Sequence, residues 1–198
     1  MTDVLVLCAA NMCRSPMAAA LLAHELKTRG LAAREVDTPD PGVTVRSAGL
    51  LVDGEPPAPL ATSAMADRGL DISAHRSRVV RAADLTAAGL VLAMARAQLR
   101  EAVVLVPEVW PRAFTLKELV RRGEQTGPRP PGTGLADWLA RAHEGRDRAA
   151  LLGDSADDDV IDPIGGPPQA FVQTAGLLSD LTRRLADLCW PAARPAPR

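Results

Sequence analysis

No stretch of this chain restricts its possible folds more than Val4-Leu5-Val6-Leu7 followed by Cys8-Ala9-Ala10-Asn11-Met12-Cys13-Arg14-Ser15-Pro16. A short aliphatic run bounded by a polar loop reads as a buried strand. The residues from Ser15 to Leu26 read as a helix, with Pro16 in its first turn, Met17, Leu21, Leu22 and Leu26 along one side, and Gly30 as a stop. A thiol therefore ends a strand, an arginine begins a helix, and the loop between them can turn backbone N–H groups inward as an anion nest. A cysteine beside a cation and a helix start is favoured as thiolate, and a guanidinium offers a planar two-pronged donor to the same anion. A nucleophilic thiolate inside a cradle for a tetrahedral oxyanion is equipment for phosphoryl transfer. The blander alternative is that Cys8 is a small buried hydrophobe, since a C-x5-R spacing recurs by chance. The strand before it and the Ser-Pro helix start after it favour the chemical reading.

The remaining pattern extends this unit into an α/β domain. Strands are expected at Val43–Gly49, Gly89–Met94 and Val103–Val106, the last two apolar throughout. Helices are expected at Leu60–Arg68 closed by Gly69, Ala95–Arg100, Phe114–Arg122 capped by Gly123, Leu135–His143 and Gln169–Leu188. Continuous apolar strands alternating with helices predict a four-stranded parallel sheet with helices on both faces. Ligands of such sheets bind beyond the carboxyl ends of the strands, where Cys8 sits. Residues 1–190 form one domain in this reading, 191–198 a Pro-Ala-Arg disordered tail, and about 123–159 an insertion. That insertion either folds over the site as a lid or partner surface or is a solvated excursion.

Composition narrows the function classes. A net charge of −1 argues against general nucleic-acid binding, and no apolar run is long enough for a membrane span. The N-terminus lacks the basic region of a signal peptide. Cys8, Cys13 and Cys189 are too few for a secreted disulfide framework and lack metal-ligand spacing. A cytoplasmic protein with no metal and no cofactor is the expectation.

The stretch Cys8 to Pro16 resembles the signature of the low-molecular-weight protein tyrosine phosphatase family, C-x-G-N-x-C-R-S-P, through Asn11, Cys13, Arg14, Ser15 and Pro16. Ala10 departs from the family's glycine, so the loop must use negative φ there or accommodate a methyl group. The resemblance implies a flavodoxin-like three-layer fold and a metal-independent hydrolase acting on a phosphorylated protein or a small aryl phosphate. It makes Cys8 the nucleophile and Ala9, Ala10, Asn11, Met12, Cys13, Arg14 and Ser15 the phosphate-binding loop. Asn11, Ser15, Ser47 of a Ser-Ala-Gly turn, and His75 would hold that loop in shape. Asp162, in Asp162-Pro163-Ile164-Gly165-Gly166, matches the family's general-acid loop, although Ile164 stands where an aromatic residue is usual. Asp157, Asp158 and Asp159 lack that Pro-Gly-Gly setting and are expected to be silent. Cys13, close to a reactive thiol, is a candidate redox partner that traps a Cys8 sulfenic acid as a disulfide. The chain has no tyrosine, so Met12, Trp110, Ile164 or the insertion would have to supply an apolar wall for an aryl ring. Two alternatives stand beside this reading. One is an arsenate reductase of the same fold, which needs a resolving cysteine downstream of the helix; only Cys189 lies beyond Cys13. The other is a catalytically weak phosphoprotein-binding regulatory domain.

Overall fold

The computed structural model describes residues 2–31 and 42–191. Four strands, β1 (Thr2–Leu7), β2 (Val43–Ala48), β3 (Leu90–Ala93) and β4 (Ala113–Thr115), form one parallel sheet in the order β2-β1-β3-β4. Among the described residues seven α-helices accompany it: α1 (Arg14–Thr28), α2 (Pro59–Ala66), α3 (Ala82–Ala87), α4 (Arg96–Leu105), α5 (Leu116–Thr126), α6 (Leu135–His143) and α7 (Pro168–Cys189). The alternation of side chains along each strand divides the core in two. Val4, Val6, Leu90, Leu92 and Phe114 pack with α1, α2 and α5–α7 on one face. Leu5, Leu7, Val91, Ala93 and Ala113 pack with α3 and α4 on the other. The chain leaves β1 for β2 on one side and later pairs β3 on the other, so the strand order reverses at β1. The crevice at such a reversal is where α/β sheets bind ligands, and Cys8 immediately follows β1.

Two expected elements differ. Val103–Val106 is not the fourth strand: Val103 to Leu105 form the last turn of α4. Leu99, Ala102 and Val103 are buried while Val104 and Leu105 face out, a helical phase that a four-residue apolar run cannot reveal by itself. The fourth strand is the three-residue Ala113–Thr115, which includes the Phe114 expected to open a helix. The helix begins two residues later, at Leu116, where Thr115 Oγ1 accepts from the Glu118 N–H at 3.1 Å, the T-x-x-E pattern of a helix start. Nor does Gly123 end it. A Cβ there would lie 3.0 Å from both Leu188 Cδ1 and Trp138 Cη2, so the glycine lets α5 approach α6 and α7 closely.

The stretch 123–159 is anchored to the core through α6. Trp138 is fully buried, with Leu139 and Ala142 beside it in the α1–α7 core, and its indole N–H donates to the Gly127 carbonyl at 2.9 Å. The tail from 192 onward and the connection 32–41 lie outside the described residues. No helix among the described residues is long and apolar enough to cross a membrane. Trp138→Ala should lower the unfolding free energy by about 3–5 kcal/mol, as deletion of a core aromatic does, measured by urea titration. A loss under about 0.5 kcal/mol, the scale of surface changes, would mean that α6 is a solvated excursion.

Candidate active site

The loop from Cys8 to Cys13 is held by its outward-facing carbonyls. The Ala9 carbonyl accepts from the N–H groups of Leu50 (2.7 Å) and Leu51 (3.2 Å), Met12 from Ala58 (2.8 Å) and Cys13 from Met17 (3.1 Å). The Asn11 carbonyl accepts from His75 Nε2 at 2.7 Å. In a trans peptide the C=O and the next N–H point in opposite directions. Anchoring these carbonyls to the scaffold therefore turns the N–H groups of Ala10, Met12 and Cys13 to the concave side. There the Asn11 N–H already donates to Cys8 Sγ at 3.3 Å, and Ser15 Oγ lies 2.9 Å from the same sulfur. That concave surface is suited to an anion.

Asn11 carries the bend. Its φ of 55° is the only positive value outside glycine among the described residues, so Ala10 keeps negative φ and its methyl group is tolerated. The fully buried Asn11 side chain donates from Nδ2 to Ser15 Oγ and Ser47 Oγ, both at 2.9 Å, and accepts at Oδ1 from the Arg78 N–H at 3.1 Å. The structure thus brings Asn11, Ser15, Ser47 and His75 together around the loop. Sequence reasoning missed Arg78, whose Nε also donates to the Ser47 carbonyl (2.9 Å) and whose Nη1 pairs with Asp84 (3.0 Å). An arginine in a run of arginines and serines carries no signal of such a role. It also missed Gly49, although the Ser-Ala-Gly turn contained it. A Cβ on Gly49 would sit 2.7 Å from the Ala9 carbonyl oxygen, 2.8 Å from Asn11 N and 2.9 Å from Ala10 C.

Arg14 joins the loop to the far end of the chain. Its side chain is buried, its Nη1 donates to the Val160 carbonyl at 2.9 Å, and its Nη2 pairs with Asp162 Oδ2. Its Nε is buried without a protein partner among the described residues. Asp162 remains 40% exposed at its side chain, and its Oδ1 accepts from the Ile164 N–H at 3.3 Å. Cys8, Arg14 and Asp162 therefore belong to one site, although Asp162 is distant from both in sequence.

Three other expectations meet different outcomes. Burial, with the charges of Asp162 and Cys8 behind it, pushes the Cys13 thiol up to about 12 against the opposing pull of Arg14, so Cys13 stays protonated. Trp110 is not a wall of the site. It precedes β4, at the end of the parallel sheet remote from Cys8, and stacks under the Arg146 guanidinium at 3.8 Å. Asp158 and Asp159 are not spectators: Asp158 is buried between Arg96 and Arg121, and Asp159 accepts from the Arg96 N–H. Burial would raise the Asp158 carboxyl, but its hydrogen bonds to Arg121 and Arg96 outweigh that and hold it below the ordinary range.

Comparison with known proteins agrees with this geometry. Residues 3–128 match the family described as low molecular weight phosphotyrosine protein phosphatase. A probable low molecular weight protein-tyrosine-phosphatase, EpsP, of Ralstonia solanacearum is 35% identical over 145 residues, 73% of this chain and 90% of that one. A protein-arginine-phosphatase of Geobacillus stearothermophilus is 29% identical over 185 residues, 93% of each chain. Among solved structures, a low molecular weight protein tyrosine phosphatase from T. tengcongensis superposes with a TM-score of 0.68 at 30% identity, covering 94% of this chain and 99% of that one.

Gly49→Ala forces a methyl group into loop backbone that cannot yield, so it should cost roughly 1–3 kcal/mol of stability, as overpacking does, and abolish oxyanion binding. Calorimetric titration with inorganic phosphate beside a urea melt measures both. Unchanged phosphate affinity would show that the loop does not need this close approach.

Proposed function

The chain belongs to the low molecular weight phosphotyrosine protein phosphatase family, whose members are cysteine-dependent phosphatases, and from that membership we propose that Cys8, Arg14 and Asp162 hydrolyse phosphate monoesters through a phosphocysteine. The observation that carries this is the shared guanidinium: Arg14 rises from the cysteine loop and also pairs with Asp162. One residue thus sets the acid against the cradle.

In the first step Cys8 Sγ attacks phosphorus in line, forming S–P as the bond to the leaving oxygen breaks. Loop amides and Arg14 hold the equatorial oxygens. Asp162 gives its proton to the departing oxygen. In the second step the Asp162 carboxylate takes a proton from water, whose oxygen bonds to phosphorus as S–P breaks and phosphate forms. The Ser15 hydroxyl, 2.9 Å from the sulfur, donates to the thiolate as it leaves. The arsenate-reductase alternative loses support, because Cys189 is buried at the last turn of α7. That position is roughly 30 Å along the helix from the end that follows the Asp162 loop.

The substrate we favour is phosphotyrosine in a protein, or an aryl phosphate that mimics it. Half-buried Met12 in the loop and exposed Ile164 beside Asp162 offer apolar contact to a ring. Phosphoarginine is the second reading, because the relatives named protein-arginine-phosphatase align along 93% of this chain. The three cysteines, all free thiols, suit the cytoplasm.

Cys8→Ser should lose hydrolysis of p-nitrophenyl phosphate while still binding vanadate; full activity would sink the covalent route. Asp162→Asn should lower kcat/KM for phenyl phosphate by a factor on the order of 10²–10⁴ and far less for dinitrophenyl phosphate, which hardly needs a proton. Equal losses would mean another acid. Matched phosphotyrosine and phosphoarginine peptides decide the substrate: at least tenfold higher kcat/KM on phosphotyrosine is expected, and the opposite ratio assigns the arginine reading.

Peroxide should inactivate reversibly: it oxidises Cys8 to the sulfenic acid, and Cys13 condenses with it, releasing water and forming a disulfide. Cys13→Ala should then lose recovery by thiols. Mass spectrometry finding only sulfinic or sulfonic Cys8 in the wild type would reject this role.

A further inference from the structure

The acidic run ahead of Asp162 is a strongly charged motif that the proposed reaction does not consume, and it is tied down from α4 and α5. The Asp158 carboxylate, 5% exposed, accepts from Arg96 Nε at 2.7 Å and pairs with Arg96 Nη2 at 2.6 Å, both from α4; Arg121 Nη2 of α5 donates to it at 2.8 Å. Arg121 Nη1 also donates to the Asp157 carbonyl at 3.1 Å, and Lys117 Nζ to the carbonyls of Ala156 and Asp159. Asp159 Oδ1 accepts from the Arg96 N–H at 2.7 Å and its Oδ2 from the Ser155 N–H at 2.9 Å. The Val160 N–H then donates to the Met94 carbonyl at 2.7 Å, just past β3, while the Val160 carbonyl accepts from Arg14.

We propose that Asp158, held between Arg96 and Arg121, is a positioning residue that sets where Asp162 presents its proton. This rests on the reading of Asp162 as the general acid. Burying the Asp158 carboxylate between two arginines is an expensive way to pin a loop if stability alone were at stake, because apolar packing does that as well or better. Charged pairs add directional geometry, since two planar guanidinium groups converging on one carboxylate admit few arrangements. Val160 is two residues from Asp162, within about 7 Å of extended chain, so a shift of the clamped segment has a short path to the acid. Proton delivery is sensitive to such shifts, and a misplacement of about 1 Å can cost on the order of a hundredfold.

The test is a leaving-group series of aryl phosphates on Asp158→Asn, Arg121→Gln, Asp162→Asn and the Asp158→Asn/Asp162→Asn double variant. Asp158→Asn should lower kcat/KM for phenyl phosphate about tenfold or more, and for dinitrophenyl phosphate less than about threefold. In the Asp162→Asn background the same change should alter phenyl phosphate turnover less than about twofold, because the acid it positions is gone. Arg121→Gln, at a residue whose side chain is 45% exposed and whose loss leaves Arg96 in place, should show the same selectivity with a smaller loss. It decides the matter if Asp158→Asn fails to fold. A uniform loss across leaving groups, or a loss that multiplies in full with Asp162→Asn, overturns the positioning role. A selective Asp162→Asn beside a flat Asp158→Asn and Arg121→Gln overturns the clamp alone. A flat Asp162→Asn removes the acid assignment and the clamp with it.

Discussion

The buried side chain of Asn11 is the interaction on which the site depends. A left-handed turn at a non-glycine residue costs about 1–2 kcal/mol, and Asn11 adopts one at φ 55°. Against that stand three side-chain hydrogen bonds, to Ser15, Ser47 and the Arg78 N–H, each contributing about 1 kcal/mol net. The balance favours the bend, and leaving any of these buried groups unpaired would cost more than the bond itself contributes. Asparagine suits both demands, since it tolerates the left-handed region and carries a donor and an acceptor on one short side chain. The loop's amides therefore point inward because β2 and the His75–Arg78 segment are already in place to hold its outer face.

A second dependence runs through Arg14. Its guanidinium is shared between the Val160 carbonyl and Asp162, so the first helix and the loop before the last helix meet at one planar group. The segment just before that loop is tied to α4 and α5 through Asp158 and Asp159. Cys8, Arg14 and Asp162 are thus placed by different elements of the domain: Cys8 directly after β1, Arg14 at the start of α1, and Asp162 in the loop before α7.

Where pattern reading succeeded, the deciding physics was local. The Cys8–Pro16 stretch and the Asp162-Pro163 loop were legible because each carries its residue types in a short span. Helix α6 and, within one residue at each end, α7 were legible because their apolar period runs over several turns. Val103–Val106 was misread because four apolar residues have no period, and a helix with its polar face elsewhere can contain them. Gly123 was misread as a stop because a glycine that admits Trp138 and Leu188 looks in sequence like one that ends a helix. Asp158 was dismissed because its meaning lies in two arginines far away in the chain.

The sequence by itself determined the parallel α/β class, the thiol at the end of the first strand, the arginine at the start of the first helix, and a carboxylate on a rigid loop near the last helix. Those are properties of contiguous residues, set by steric preference and hydrophobic period. Only the tertiary structure decided that Arg14 and Asp162 touch, that Gly49 must lack a side chain against Ala9 and Asn11, that Arg78 reaches Asn11, and that Arg96 and Arg121 meet at Asp158. The physical reason is reach. A charge or a missing Cβ acts over a few ångströms in space, and which groups come within that distance is set by how the sheet's two faces are covered, not by the order of the residues along the chain.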